Sequence, residues 1–393
     1  MNKNIILGVT GGIAAYKMVE VASTLTKMSY NVKVVMTDNA TKFITPMTFR
    51  AITHNPVYTD LFDFNINNDI NHISLAEETD LILIAPATAN IIARMAQGMA
   101  DDLLTTTVLA SEAPVLISPA MNVNMYKNKI VQENIKKLQN SGMRLIKPAQ
   151  GYLACGTEGE GRLPEPKTLV EYVQKSLSRN ILINKKVLIT AGPTREGIDP
   201  VRFLSNYSSG KMGYALAKSA AYKGAEVTLI SGPTNLDTPL GVKRINIETA
   251  MEMSNNVKEH IRGKDIIIMV AAVADFRPKS MSNKKIKKDN NSNLKIDLER
   301  NPDILKNIAK NKENDQLFIG FAAETENIIS NARTKLSRKN LDMIIANDVA
   351  KKETGFASDK NKVYVITEDN NIKLPVMEKE ELATKIIAEI EKL

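Results

Sequence analysis

Few side chains of this 393-residue chain can titrate or attack near neutral pH: it holds one cysteine and three histidines. The cysteine, Cys155, lies in GYLACGTEGEGRLPEP (151–166), a glycine-rich stretch with neither helical nor strand period. A single thiol forms no internal disulfide. His72 stands in NDINHISLAEETD, where a helix is expected to begin after an Asn/Asp-rich loop. A lone histidine is more often structural or solvent-exposed than catalytic, so none of His54, His72 and His260 marks a site by type alone. Asn122, in SPAMNVNMY, follows the backbone-restricting Pro119 where the apolar run APVLI ends. The methionines beside it are equally suited to filling a core.

Phosphate chemistry is suggested at two places. In GVTGGIAAYK, Gly11 and Gly12 stand where a strand turns into a helix, and bare N–H groups there suit a phosphate. A tight turn without ligand is the bland alternative. The spacing is not that of a dinucleotide fingerprint, and Thr37, followed by Asp38, replaces the ribose-binding acid, so a mononucleotide fits better than NAD. In APATAN, Thr88, Ala89 and Asn90 could bind the edge of a planar ligand or simply cap a helix. In the second half, SSGKMG fails as a Walker loop, because Met212 stands where Ser or Thr should follow Lys211 and Ser205 replaces the first glycine. Ser208, Ser209 and Gly210 still precede a helix, as a cap and anion site would. Asp275, in AAVADFRPK, is placed for a metal or a nucleotide base. In RNPDIL, Asn301 or Asp303 is expected to cap a helix. Lys335 and Lys339 fall on one helical face at i and i+4.

The elements that must position these residues read as two similar halves. NIILGV and KVLIT are apolar strands that each lead into a glycine-bearing loop, a helix (AAYKMVEVASTLTKM, GYALAKSAAYKG) and a second strand (NVKVVMT, AEVTLIS). DLILIAPATAN and DIIIMVAAVADF repeat the pattern of a buried strand running into small residues. Uniformly apolar strands belong to parallel sheets covered on both faces, so the fold class is α/β, with two open parallel-sheet domains divided near 178–186. Ligands bind such sheets at the carboxyl ends of the strands.

Composition limits the functional class. The chain is 43% hydrophobic and 24% charged, an ordinary soluble mix, and nothing in it suggests a membrane span or a secretory leader. One cysteine excludes a disulfide-stapled fold, and a reducing cytoplasm is the expected compartment. The net charge of +8 is uneven: residues 1–180 carry 17 basic against 16 acidic side chains, the remainder 35 against 28. Much of the excess lies in 279–295, KSMSNKKIKKDNNSNLK. No aromatics interleave with the lysines, which disfavours a nucleic-acid surface. A solvated loop and a clamp for an anionic ligand both remain open.

Taken together, GVTGGIAAYK, HISL, APATAN, PAMNVNMY and ACGTEGEGR resemble the flavin-dependent phosphopantothenoylcysteine decarboxylases. The resemblance implies FMN bound by Gly11, Gly12, Thr37, Phe43, Thr88, Ala89, Asn90 and Ala120. It implies chemistry by His72, Asn122 and Cys155: flavin oxidation of the carbon beside sulfur creates an electron sink, CO2 leaves, hydride returns and Cys155 supplies the proton. Asn71 and Ala76 depart from the family's usual residues around HISL. The segment 186–393 resembles phosphopantothenate–cysteine ligase. This implies activation of 4'-phosphopantothenate by CTP as an acyl-cytidylate, with Mg2+ and lysines offsetting phosphate charge, and displacement of CMP by cysteine. The implied CTP residues are Asp275 (also the candidate metal ligand), Lys285, Asn301, Pro302, Asp303, Ile304, Phe321, Lys335 and Lys339. Asn206 handles the intermediate, with Arg202, Ala271 and Ala272 close to it. Lys285 tips the basic run toward a loop closing on the triphosphate. The two resemblances imply two Rossmann-like domains, a flavoprotein decarboxylase over 1–180 and a ligase over 186–393, of which the second acts first. They also imply small-molecule partners, no nucleic acid or membrane, and a homo-oligomer built on trimers of the decarboxylase domain, which assemble into larger shells such as a dodecamer.

Overall fold

The computed structural model describes residues 3–62, 71–152, 156, 158–287, 294–313, 315–324, 326–348 and 358–393. It divides into two compact units, Met1–Ser178 and Arg179–Leu393.

The first unit is built on six parallel strands: β1 Asn4–Val9, β2 Asn31–Met36, β3 Val57–Tyr58, β4 Leu81–Ala87, β5 Val115–Pro119 and β6 Arg144–Leu145, in the spatial order 3-2-1-4-5-6. Successive side chains alternate between faces. Ile5, Leu7 and Val9 join a core with helices Met18–Lys27 and Pro166–Leu177, while Ile6 joins another with helices Ala89–Ala96 and Leu103–Ala110. Burial on both faces explains the near-continuous apolar strands, each buried Leu or Ile contributing ~1.5–3 kcal/mol. Beyond the sheet, the stretch around Cys155 is not wholly irregular. β7 Ala149–Tyr152 and β8 Glu158–Arg162 form an antiparallel pair, which alternation could not reveal because glycines occupy one side of the ladder. Cys155 itself lies outside the described residues.

The second unit repeats the scheme. Its large sheet contains β9 Lys186–Ala191, β12 Glu226–Ser231, β13 Val242–Asn246, β14 Ile266–Met269, β17 Leu317–Glu324, β18 Met343–Asp348, β19 Lys360–Ile366 and β20 Asn371–Glu378. The order is 13-12-9-14-17-18-19-20, and the first six strands run parallel. The α/β class with open parallel sheets is therefore borne out. The last two strands are an antiparallel extension. The returning helix Lys379–Ile390 buries Leu382, Ile386 and Ile387 in the core that also holds helix Lys211–Tyr222. The long loop after β9 carries its own hairpin, β10 Arg195–Asp199 with β11 Arg202–Ser205. A further antiparallel pair, β15 Phe276–Pro278 and β16 Leu298–Arg300, flanks the lysine-rich segment.

Candidate active sites

In the first unit, the carboxyl ends of β1, β2, β4 and β5 open into a cavity of about 1070 Å³. Gly11, Gly12, Thr37, Thr88, Ala89, Asn90, Ala120 and Asn122 all line it. Sequence positions more than a hundred residues apart meet here because the parallel topology puts every strand's C-terminus on one edge.

The local construction is specific. Thr10, buried at the end of β1, donates its hydroxyl to the Pro86 carbonyl (2.6 Å) and accepts from the Thr88 N–H (3.2 Å). Thr88 then caps helix Ala89–Ala96, its Oγ1 accepting from the Ile91 N–H at 3.3 Å. The capping alternative for this threonine is thus realised, and the residue still faces the cavity. At Gly11 a Cβ would lie 2.5 Å from Asn39 Cβ and 3.0 Å from the Asn39 carbonyl carbon, so only glycine allows the turn to pass so close. Asn122 caps the helix Val123–Lys127, its Oδ1 accepting from the Asn124 N–H at 2.8 Å. The β7–β8 hairpin is tied to the same loop, since Met121 N–H donates to the Gly161 carbonyl at 3.0 Å.

Two expected residues lie apart. Phe43 is half exposed just beyond the short helix Asp38–Thr41, and neither it nor His72 belongs to the lining. His72 is the second residue of helix Asn71–Glu78, and its Nδ1 is buried with no hydrogen-bond partner among the described residues. Thr37 Oγ1, in the lining, is likewise buried and unpartnered.

Sequence reasoning missed a charged group in the lining. Arg94 pairs with Asp101, and with Asp102 at 2.7 Å, and the Asp101 hydrogen bond raises the guanidinium's pKa further above its ordinary value. Asp102 also forms a capping box with Thr105. The signal was an arginine followed, across Gly98, by two adjacent acids.

In the second unit, the segment after β14 is stitched in place from two sides. Thr190 Oγ1 accepts from the N–H groups of Val270 (3.1 Å) and Ala271 (3.2 Å). Asn206 Nδ2 donates to the Ala272 carbonyl at 2.8 Å, which joins the loop after β11 to this segment. Asn301 Nδ2 donates to the Ala274 carbonyl (2.8 Å), its N–H donates to the Asp275 carbonyl (2.9 Å), and Arg277 donates to its Oδ1 (2.9 Å). Ala271, Ala272, Asn206, Asp275 and Asn301 are thereby gathered at one strand end, with the Asp275 side chain exposed.

Asp303 caps helix Ile304–Ala309 through the Lys306 N–H (3.1 Å) and pairs with Lys339 at 3.1 Å. Burial works against ionisation of Asp303, but these two partners hold its carboxyl below the ordinary range. Lys335 pairs with Glu324 at 2.5 Å, and Phe321, half-buried in β17, packs on the core. Lys339 is the C-cap residue of helix Ile328–Arg338, just past the helical face expected to carry it. The serine cap expected at Ser208–Ser209 is also displaced. Gly210 is the N-cap of helix Lys211–Tyr222, at φ 77°, because a side chain there would meet Thr234 Cγ2 at 2.7 Å. Among the described residues no group of three or more His, Cys, Asp or Glu could hold a metal, and no helix is long and apolar enough to cross a membrane.

Family models match both units: "Flavoprotein" over residues 1–178, and "DNA/pantothenate metabolism flavoprotein C-terminal domain" over 182–393. The coenzyme A biosynthesis bifunctional protein CoaBC of Vibrio cholerae is 48% identical over 386 residues, covering 98% of this chain and 97% of that protein. The Bacillus subtilis protein of the same name is 47% identical over 394 residues, covering 99% and 97%, and that of Escherichia coli is 44% identical over 391, covering 99% and 96%. Among solved structures, the C-terminal domain of a CoaBC protein is 46% identical, with TM-score 0.47, covering 54% of this chain and 97% of that one. A cysteine-to-serine mutant of PPC decarboxylase complexed with pantothenoylaminoethenethiol is 28% identical, with TM-score 0.42, covering 44% and 97%.

Proposed function

Because this chain belongs to the family of coenzyme A biosynthesis bifunctional proteins, we propose that it catalyses two successive steps of that synthesis. The C-terminal unit joins 4'-phosphopantothenate to cysteine at the expense of CTP, through an acyl-cytidylate. The N-terminal unit decarboxylates the product to 4'-phosphopantetheine with FMN. The observation that carries the reading is the convergence of Gly11, Gly12, Thr88, Asn90 and Asn122 on one cavity, in a chain whose two halves match the two family models.

The cavity suits a flavin mononucleotide. It offers a close glycine turn at Gly11–Gly12, where the Gly12 N–H is already given to the Thr10 carbonyl at 2.9 Å, a buried hydroxyl at Thr37 with no partner among the described residues, and a polar edge at Thr88–Asn90. When bound, FMN supplies the hydride acceptor and donor that make loss of CO2 feasible. The protein's own part is orientation and proton control. Asn122 holds the carboxylate, Thr10 fixes the Pro86–Thr88 loop against the ring site, and Cys155 delivers the final proton. His72, outside the lining with an unpartnered Nδ1, serves the site of a neighbouring copy in a homo-oligomer assembled through the N-terminal unit. Exposed Ile13, Tyr16, Phe62 and Met125 beside the cavity give that contact its apolar surface.

In the C-terminal unit, Lys285, Lys335 and Lys339 neutralise the nucleotide phosphates. Asp275, exposed at the strand end, is the residue that would hold Mg2+, which would offset phosphate charge there. Asn206, held to Ala272, faces the acyl-cytidylate, with Arg202 near it. The substrates are small and charged, and the protein acts in the cytoplasm.

The test is a coupled assay. Pyrophosphate release from CTP must require both 4'-phosphopantothenate and cysteine, and product mass must fall by CO2. A colourless protein without such release overturns the reading. Cys155→Ser is expected to stop after CO2 loss and accumulate the unreduced enethiol product, with ligation intact; loss of ligation contradicts the assignment of domains.

A further inference from the structure

Asp199 is the last residue of β10, at the turn of the β10–β11 hairpin, and its side chain is 0% exposed. Its Oδ1 accepts from the N–H groups of Val201 and Arg202, both at 2.9 Å. Its Oδ2 accepts from Arg202 Nε at 3.0 Å and Nη2 at 2.5 Å, and from the Ile286 N–H at 3.1 Å. Arg202 Nη2 also donates to the Ile286 carbonyl at 2.8 Å. The two peptide planes joining Lys285, Ile286 and Lys287 are therefore both held, one by Asp199 and the other by the arginine that Asp199 orients. A second tie, from Ser282 N–H to the Ile198 carbonyl at 3.0 Å, keeps the segment against the same hairpin. The Arg202 hydrogen bond, aided by the Val201 and Ile286 N–H groups and opposed by burial, holds the Asp199 carboxyl far below the ordinary range.

The bonds to Val201 and Arg202 lie within the hairpin itself. The bond to Ile286 spans 87 positions of sequence and fixes a backbone that carries lysines on both sides. A lysine loop aimed by a buried charge loses less entropy on closing over an anion than one that hangs free. We infer that Asp199 is a positioning residue for nucleotide activation, which aims Lys285 at the CTP phosphates by locking the peptide groups around Ile286. This rests on the proposed role of Lys285 toward CTP.

The experiment uses the full chain and reads pyrophosphate release against CTP concentration. Asp199→Asn is expected to lower kcat/KM for CTP roughly 10- to 100-fold, the range for losing a charge-assisted hydrogen bond at a buried site. Decarboxylation of supplied phosphopantothenoylcysteine should change little, whereas the melting temperature should fall, because the hairpin loses its buried Asp199–Arg202 ion pair. In a double variant, Lys285→Gln should make the Asp199 substitution nearly silent, since both act through one contact. If Asp199→Asn leaves kcat/KM for CTP within about twofold while Lys285→Gln is severely impaired, the inference fails and the ligase reading stands. If Lys285→Gln itself releases pyrophosphate normally, the reading beneath it fails. Should Asp199→Asn not fold, Ile286→Pro deletes the N–H that Asp199 accepts and leaves the Asp199–Arg202 pair intact. Normal CTP kinetics in that variant overturn the inference; a loss confined to CTP supports it.

Discussion

The two units share the strand order 3-2-1-4-5-6 in their parallel strands, yet they prepare the carboxyl edge differently. After β1 the first unit turns at once, through Gly11 and Gly12, into a short 3-10 helix, and the edge stays open as a cavity. After β9 the second unit inserts nineteen residues, 192–210, that fold into a hairpin before the equivalent helix starts. That hairpin is anchored at its base, where buried Glu196 accepts from the Ala250 N–H at 2.9 Å, and at its tip through Asp199. One sheet thus supports a wide site for a flat ligand, the other a set of tethered loops for a charged one. The comparison teaches that the shared fold fixes where ligands bind, whereas the first βα loop decides which ligand.

The sharpest way to break that comparison is to disable each edge separately. Lys285→Gln should reduce pyrophosphate release by ~10²–10³-fold, the effect of removing one electrostatic contact to a charged transition state. Decarboxylation of supplied phosphopantothenoylcysteine should not change. Conversely, Asn122→Ala should cost decarboxylation ~10²-fold through lost substrate orientation, with pyrophosphate release intact. Either variant silencing both reactions would show that the two edges do not work independently.

A smaller effect is expected at the turn. Gly11→Ala forces a methyl group against the Asn39 backbone, an overpacking cost of ~1–3 kcal/mol in a loop that must stay shaped for FMN. The purified variant should retain visibly less flavin absorbance per chain, and added FMN should restore it with about tenfold weaker affinity or worse. Full flavin occupancy would mean that this turn is not where the phosphate sits.

The parallel sheets were legible because burial on both faces leaves uninterrupted apolar runs such as LILIAPA and DIIIM. Gly11–Gly12, Thr88–Asn90 and Asn122 were legible because they punctuate strand ends. The antiparallel β19–β20 extension was not anticipated. Its strands KNKVYVI and NIKLPVME alternate only partly, and the long-range pairing of β19 with β18 leaves no local mark. The Arg94–Asp101–Asp102 group was missed for a different reason. Charge pairs separated by a glycine turn read as solvated surface until the chain is folded. The Asp199–Ile286 bond joins a strand end to a segment 87 positions away that no periodicity relates to it, so it exists only in the folded chain.

The smallest effect concerns Asp303, which ties its own helix cap to Lys339. Its carboxyl is held below the ordinary Asp range, so the ionised form contributes stability. That contribution is complete above the unfolded value near ~3.9 and is lost as pH falls through the lower folded value. Asn also caps helices well, so Asp303→Asn removes mainly the Lys339 attraction, less than about 1 kcal/mol because the aspartate side chain is 43% exposed and screened by solvent. The variant should melt slightly earlier than the parent at pH 7 in low salt. The gap should narrow as salt is raised and close as pH falls below the folded pKa. A gap that persists in acid would place the loss in the cap rather than in the ion pair. Lys339 would then be held by the helix alone, as loosely tethered as the lysines of an ordinary surface, and the contrast between an open edge and a tethered one would weaken.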